Sequence, residues 1–406
     1  MVKNFIHIIF LRRHFWRYAT FDEVAELYVS RMLRMAALYL ISSFMSIYLY
    51  QTGYSVAQIA FLWCGLYMFK ALASLPIARL VAWMGPKHSI LISNILYIPA
   101  MIGFALVPQW GVGLLIPTFI MQGISAAMYG IAYNVDFSKV KSLTHAGKEI
   151  AYMNIFEKVT TGISPLIGGF IAYFWGPQVV IILAAILFAL AATPLLRTGE
   201  PVRINQKLTF RGFPWGLLFR HSLAQFGTGF DVFASGTVWT LYVAIIIIGL
   251  SSSNNDVYAI TGILVSVVLV VAILASYTYG RLIDRRRGGD LMRISTIANS
   301  LIHLVRPFIQ SPVTVAGLNA TNELATTGYM LPYTRAVFDN ADLSGVRVTY
   351  LGVSESIANF GAGIAALMLG LMTLATSEAF ALHNFFYIAA AAVLLILTAR
   401  FPLYKK

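Results

Sequence analysis

The sequence predicts an all-α membrane protein of twelve transmembrane helices in two pseudo-symmetric six-helix bundles. Three observations predict it. Of 406 residues, 59% are hydrophobic and only 11% charged, with a mean hydropathy of +0.76, whereas a soluble domain carries about 25% charged residues. Apolar runs of about 20 residues, the length that crosses a hydrocarbon core, recur along the chain without the alternating pattern of a membrane barrel. The longest polar connection, RTGEPVRINQKLTFRGF from Arg197 to Phe213, falls at the midpoint and separates six spans from six. Such a division suggests an internal repeat.

Taken in order, the spans fit residues 31–50, 55–80, 88–107, 112–135, 149–173, 177–196, 215–249, 256–280, 290–310, 313–335, 347–374 and 380–400. The seventh is long enough to begin as a surface helix near Pro214. Every second connection (QTGY, VPQWG, WGPQ, LSSSNN, QSPVTV and TSEA) lacks Lys and Arg. The others hold Arg79 and Lys87; Lys139, Lys141 and Lys148; Arg197, Arg203, Lys207 and Arg211; Arg281, Arg285, Arg286, Arg287 and Arg293; and Arg335 and Arg347. Basic loops stay inside, so both termini are expected in the cytoplasm, and the compact loops suit the cell membrane of a bacterium (its inner membrane). The organisation expected is an amphipathic N-terminal arm on the membrane surface (1–30), a first bundle (31–196), a linker (197–214), a second bundle (215–400) and a tail (401–406). The FIHIIF run is short and precedes its basic cluster, unlike a cleaved signal.

The same placement accounts for the net charge of +13 without nucleic acid. Lipids are the surrounding partner, and a monomer is expected. The single cysteine, Cys64, excludes an intramolecular disulfide. There is neither metal-ligand spacing nor a phosphate-binding G-x-x-x-x-G-K-[ST] loop, so neither cofactor nor ATP-driven pumping is expected. A membrane-embedded enzyme would need a His/Asp or metal cluster at one face with extended loops, and the short outer loops argue against it.

The fifth span, EIAYMNIFEKVTTGISPLIGGFIAY, carries Glu157 and Lys158 near its middle. A charge at that depth costs about 2.5–3.5 kcal/mol on insertion scales, so it needs a partner or a task. At 100° per residue the two side chains point to different neighbours, while Asn154, Glu157, Thr161, Ser164 and Gly168 share one face. Pro165 bends the helix, and Gly168 and Gly169 let another helix approach closely. Glu355 follows Glu157 by 198 positions, at the same expected depth of the eleventh span. The repeat would set the two carboxylates facing one another across a central cavity.

On these features the chain resembles the major facilitator superfamily. Gly280-Arg281-Leu282-Ile283-Asp284-Arg285-Arg286-Arg287-Gly288 is close to the cytoplasmic signature G-x-x-x-D-R-x-G-R-[RK], with the second glycine shifted by one. The first-half counterpart, ARLVAWMGPK, keeps Gly85 and Lys87 but has Ala82 where the acid belongs. Ser164-Pro165-Leu166-Ile167-Gly168-Gly169 is similar to the G-P-x-x-G-G end of the antiporter motif, with Ser164 replacing a glycine. The resemblance implies a rocker-switch carrier with gating residues at Gly280, Asp284 and Arg285 and at Pro165, Gly168 and Gly169. It also implies that the first, fourth, seventh and tenth spans line the cavity.

Glu157, Glu355, Asp231 and Glu323 are the proton-coupling candidates, because a carboxylate balanced between desolvation and a nearby cation can load and release a proton. Candidate cavity residues are Arg34, Lys70, Gln122, Tyr129, Tyr133, Lys158, Gln225, Trp239, Asn322 and Tyr329. The aromatic members suit amphipathic or cationic solutes, and the basic ones could hold an anion. His303 is read as a packed histidine. The expected function is proton-coupled efflux of amphipathic or drug-like compounds by alternating access. Uptake of a sugar, anionic metabolite or lipid-like solute, and a receptor or scaffold without transport, are the alternatives.

Overall fold

A computed structural model describes residues 21–140, 146–196, 208–250 and 255–404. Most of the N-terminal arm and of the 197–214 linker lies outside the described residues, as do Lys141 and the last two residues. The side chains of Asp136, Lys139, Lys148 and Asn154 lie outside them too. Twelve helical spans follow: α1 (Phe21–Ile41, continued by Met45–Gln51), α2 (Val56–Met84), α3 (Pro86–Ala105), α4 (Val112–Val140), α5 (Ala146–Trp175) and α6 (Pro177–Ala192) form the first half. The second half comprises α7 (Ser222–Ile247), α8 (Asp256–Asp284), α9 (Gly288–Val305), α10 (Pro312–Leu343), α11 (Arg347–Ala375) and α12 (Glu378–Thr398).

Local chemistry sets the ends. Ser55 and Gln58 form a reciprocal capping box that starts α2, and Ser311 with Thr314 does the same for α10, satisfying first-turn N–H groups that lack helical partners. α3 and α6 each begin with a proline directly after a glycine of positive φ, Gly85 at 90° and Gly176 at 86°. Glycine takes that backbone without a Cβ penalty, and proline at the first helical position loses no hydrogen bond. α1 starts at Phe21, earlier than residue 31, and turns at residues 42–44. The span expected from 215 splits into a short helix, Trp215–Phe219, and α7 proper. α7 then widens into π-type turns at Ala234–Val238 and Val243–Ile247.

Among the described residues, nine helices are long and apolar enough to cross a membrane. α5, α9 and α10 complete the twelve, and each carries charged or amide side chains that face other helices. α6 and α9 lie at the periphery and show apolar side chains such as Ile182, Ile186, Ile297 and Leu301, as surfaces meeting lipid must.

The halves meet along two seams, α2 against α11 and α5 against α8. Small residues bring the backbones together. A Cβ on Gly169 would lie 2.5 Å from the Tyr258 carbonyl oxygen, and one on Gly262 would lie 2.4 Å from that of Pro165. Gly168 fits α5 against α1 in the same way, over the Leu40 carbonyl. Gly169→Val is therefore expected to wedge the halves apart at a cost of about 1–3 kcal/mol, read as a lower melting temperature of the detergent-solubilised protein. At the face opposite the basic loops, Tyr258 donates to Gln51 Oε1 at 2.5 Å. There Tyr50 (3.3 Å) and the Val56 backbone N–H (2.8 Å) also donate to Glu378. That end is held shut by contacts between halves.

Candidate functional site

A cavity of about 380 Å³ lies between the halves on the side nearer the basic loops. Arg31 and Met35 of α1, Tyr129, Gly130, Tyr133 and Asn134 of α4, and Glu157 and Lys158 of α5 form one wall. Thr326, Thr327, Met330, Leu331, Thr334 and Phe338 of α10 form the other. The two adjacent charges of α5 diverge as their helical angle requires. Glu157 takes Arg31 of α1 at 2.5 Å, and Lys158 crosses to Glu323 of α10 at 2.9 Å. One pair therefore closes within the first half and the other ties the two halves together.

Aromatic rings carry the guanidinium groups. Arg31 lies 3.4 Å from the centre of the Tyr133 ring and Arg34 4.0 Å from that of Tyr129. The two rings stack at 5.8 Å with an interplanar angle of 11°, one helical turn apart on α4. Arg31 also donates to Tyr129 Oη at 3.3 Å. Arg34 is 1% exposed and donates to Asn94 Oδ1 (2.6 Å), Ser125 Oγ (3.2 Å) and Ser93 Oγ (3.3 Å), all neutral groups.

The second half holds the counterpart with the charge reversed. Asp231, also 1% exposed, accepts from Asn299 (2.9 Å), Ser235 (2.9 Å) and Tyr329, and meets His303 Nε2 at 2.8 Å. Arg306 donates to His303 Nδ1, Ser235 Oγ and Asn322 Oδ1, each at 3.0 Å. A guanidinium has no acceptor, so Nδ1 of His303 is the bare nitrogen and Nε2–H donates to Asp231. His303 thus joins a buried charged network rather than merely packing. The π-type turn beginning at Ala234 leaves a carbonyl that Arg306 also approaches, at 3.5 Å.

The internal repeat is visible in these contacts. Asn94 of α3 donates to the Ala191 carbonyl of α6, and Ser300 of α9 to the Ala390 carbonyl of α12. Asn94 and Asn299 anchor the buried charges of α1 and α7, and Tyr129 and Tyr329 cover them. The Tyr-x-x-x-Tyr pairs Tyr129/Tyr133 and Tyr329/Tyr333, 200 positions apart, carried this register in the sequence. The reversal from Arg34 to Asp231 conceals it.

Other candidates fall elsewhere. Gln122 donates to Tyr97 Oη at 2.9 Å, Gln225 accepts from Tyr333 at 2.7 Å, and Trp239 donates to Asn319 at 2.8 Å. Those three, with Tyr329 and Asn322, hold helices together outside the cavity lining. α7, expected among the lining helices, contributes no residue to this cavity. Glu355 accepts from Asn359 at 3.0 Å and lies behind Gly130, where a Cβ would be 3.7 Å from it. It is absent from the lining that Glu157 joins. Lys70 stands 5.2 Å from the Tyr67 ring centre and within electrostatic reach of Glu355. Asp284 pairs with Arg335 of α10 at 3.5 Å, within its own half, while its neighbour Arg285 is exposed. Asp284 and Arg285, both expected as gating residues, therefore face different surroundings. Gly280 is buried near the end of α8.

Two six-helix halves enclosing a charged cavity, with close helix contacts at the seams, define a membrane carrier rather than an enzyme. Residues 27–317 match the family model of the Major Facilitator Superfamily, and the chain belongs to that family of transporters. Over 166 residues it is 28% identical to a multi-drug resistance efflux pump PmrA homolog of Lactococcus lactis subsp. lactis (strain IL1403). That match covers 38% of this chain and 39% of the pump's length. The fold is similar to that of the human organic anion transporter MFSD10 (TETRAN), with a TM-score of 0.65 and 12% identity over 93% of this chain and 98% of that one. It is also similar to the transporter FucP in its outward conformation, with a TM-score of 0.58 and 14% identity over 91% and 98% of the two chains.

Proposed function

We propose that the chain is a proton-coupled secondary transporter that moves small amphipathic solutes out of the cytoplasm by alternating access. The observation that carries this reading is the Lys158–Glu323 ion pair, which spans the two halves at the cavity wall beside Arg31–Glu157. Protonation of Glu323 removes the charge that holds Lys158 and loosens the tie between halves. Protonation of Glu157 likewise frees Arg31 toward the cavity. Both acids are thus placed to link proton loading to movement of the halves and to solute binding. With the basic loops in the cytoplasm, the cavity lies on the cytoplasmic side and the Tyr258–Gln51 and Glu378 contacts close the outer side.

The aromatic wall and mixed charges support an amphipathic solute, and the similarity to an efflux pump supports the outward direction. Cells producing the protein should accumulate less of a transported amphipathic dye than cells without it, and a protonophore should change the difference. Equal accumulation across a chemically broad dye panel would contradict export.

A further inference from the structure

We propose that the cavity binds an amphipathic monoanion bearing an aromatic ring, an aryl sulfonate or carboxylate, and that this anion crosses together with a proton. The inference rests on the transport reading above and specifies its solute. Among the cations around the cavity and in the second-half network, Arg31 has Glu157, Lys158 has Glu323, and Arg306 is linked to Asp231 through His303 and Ser235. Lys70 is within reach of Glu355. Arg34 alone of these has no carboxylate near it among the described residues; its contacts are neutral side chains and aromatic rings, and its Nε is unpaired. A guanidinium stays charged, so one positive charge remains uncompensated directly behind Tyr129 in the cavity wall. That field favours an anion and opposes a cation.

The geometry also supplies the contacts. Arg31 lines the cavity with its guanidinium held by Glu157 and Tyr129, so an incoming anion competes with Glu157 for it. Tyr133, half-buried beside it, offers an aromatic contact, and the space of about 380 Å³ accommodates a fused-ring sulfonate. Glu157 is faced by Arg31 and Tyr39 of α1, by Tyr129 and Tyr133 of α4, and by neighbouring Lys158, whose charge Glu323 takes. When the anionic head takes Arg31, Glu157 loses the cation that pairs with it. A carboxylate left so in a low-dielectric wall is costly, and one proton from the cavity water neutralises it. No bond of the solute changes. The occupied site then has the same charge as the empty one, and the anion and proton move as a neutral sum. Export then runs down the outward gradient of the anion and against any inward gradient of protons.

The test uses the full-length protein in liposomes that contain a pH dye, with the membrane potential clamped. Naphthalene-2-sulfonate is added outside, because a sulfonate remains anionic and does not cross lipid as the free acid. The interior should acidify as the sulfonate enters. Arg31→Gln should slow entry about tenfold, the value of a lost charge-assisted contact, and Arg31→Lys should recover part of it, which separates a binding loss from misfolding. Glu157→Gln should bind the sulfonate more tightly and move fewer protons per sulfonate. If a cationic probe such as tetraphenylphosphonium moves protons outward while the sulfonate does not enter, the anion inference is overturned and the transport reading stands. Sulfonate entry without acidification overturns the joint crossing. If neither probe nor any member of a neutral panel moves, the transport reading itself falls.

Discussion

Replacing Asp231 by Ala is expected to remove most of the folded protein. The carboxylate is the shared acceptor of Asn299, Ser235, Tyr329 and His303, and its removal leaves Arg306 buried without an acid. Breaking a buried charge pair from one side costs about 3–5 kcal/mol, a large share of the roughly 5–15 kcal/mol that holds a protein folded. The expected readout is a large drop in the fraction that remains monodisperse after heating in detergent. Asp231→Asn keeps the shape and one acceptor, and should lose less. Adding Arg306→Gln to Asp231→Asn should recover part of the remaining loss, because the unpaired charge is then gone. If the double variant is as unstable as the sum of the single ones, the two residues are not energetically coupled and the network is misassigned.

The second large effect is on transport. Lys158→Glu places a new carboxylate between Glu157 and Glu323, and like charges brought together cost several kcal/mol. Transport should fall at least about tenfold, since about 1.4 kcal/mol suffices for that factor. Combining Lys158→Glu with Glu323→Lys rebuilds the pair in reverse and should restore most of the rate. Restoration requires that these two side chains meet across the halves at some stage of the cycle. A double variant no better than the single one would remove Lys158–Glu323 from the cycle.

Much of this arrangement was legible in the chain. Adjacent Glu157 and Lys158 could not face the same neighbour on a helix, and the structure supplies a separate partner for each. The glycines at 168 and 169 announced close approach, and the backbones of α1 and α8 occupy that space. The wall residues Tyr129, Tyr133, Lys158 and Glu157 all stand among the sequence-derived candidates. Other features were hidden for physical reasons. A buried histidine in an apolar run reads as packing until its neighbours are known, and the neighbours of His303 come from α7 and from one turn further along its own chain. Arg31, read from the sequence as a base near the cytoplasmic end of its predicted span that could help hold an anion, lines the cavity. The earlier start of α1 at Phe21 places it inside the protein.

Polar stripes on α4, α7 and α10 looked alike in sequence, yet only α4 and α10 contribute to this cavity. The polar groups of α7 are satisfied by α9 and α10. Helical periodicity identifies a polar face, but the neighbouring helices decide whether that face meets a cavity or another side chain. The two gating candidates diverge similarly. Asp284 and Arg285 are consecutive at a helix end, so Asp284 turns inward to Arg335 while Arg285 points to solvent.

The account turns on the two halves parting. The most direct measurement joins Gln51→Cys and Tyr258→Cys, which meet across the halves at the closed end, with a short bifunctional thiol reagent, in a Cys64→Ala background, and follows transport before and after cross-linking. The account predicts that transport stops when the positions are linked and returns when a reducible linker is cleaved. Undiminished transport with the link intact would contradict it.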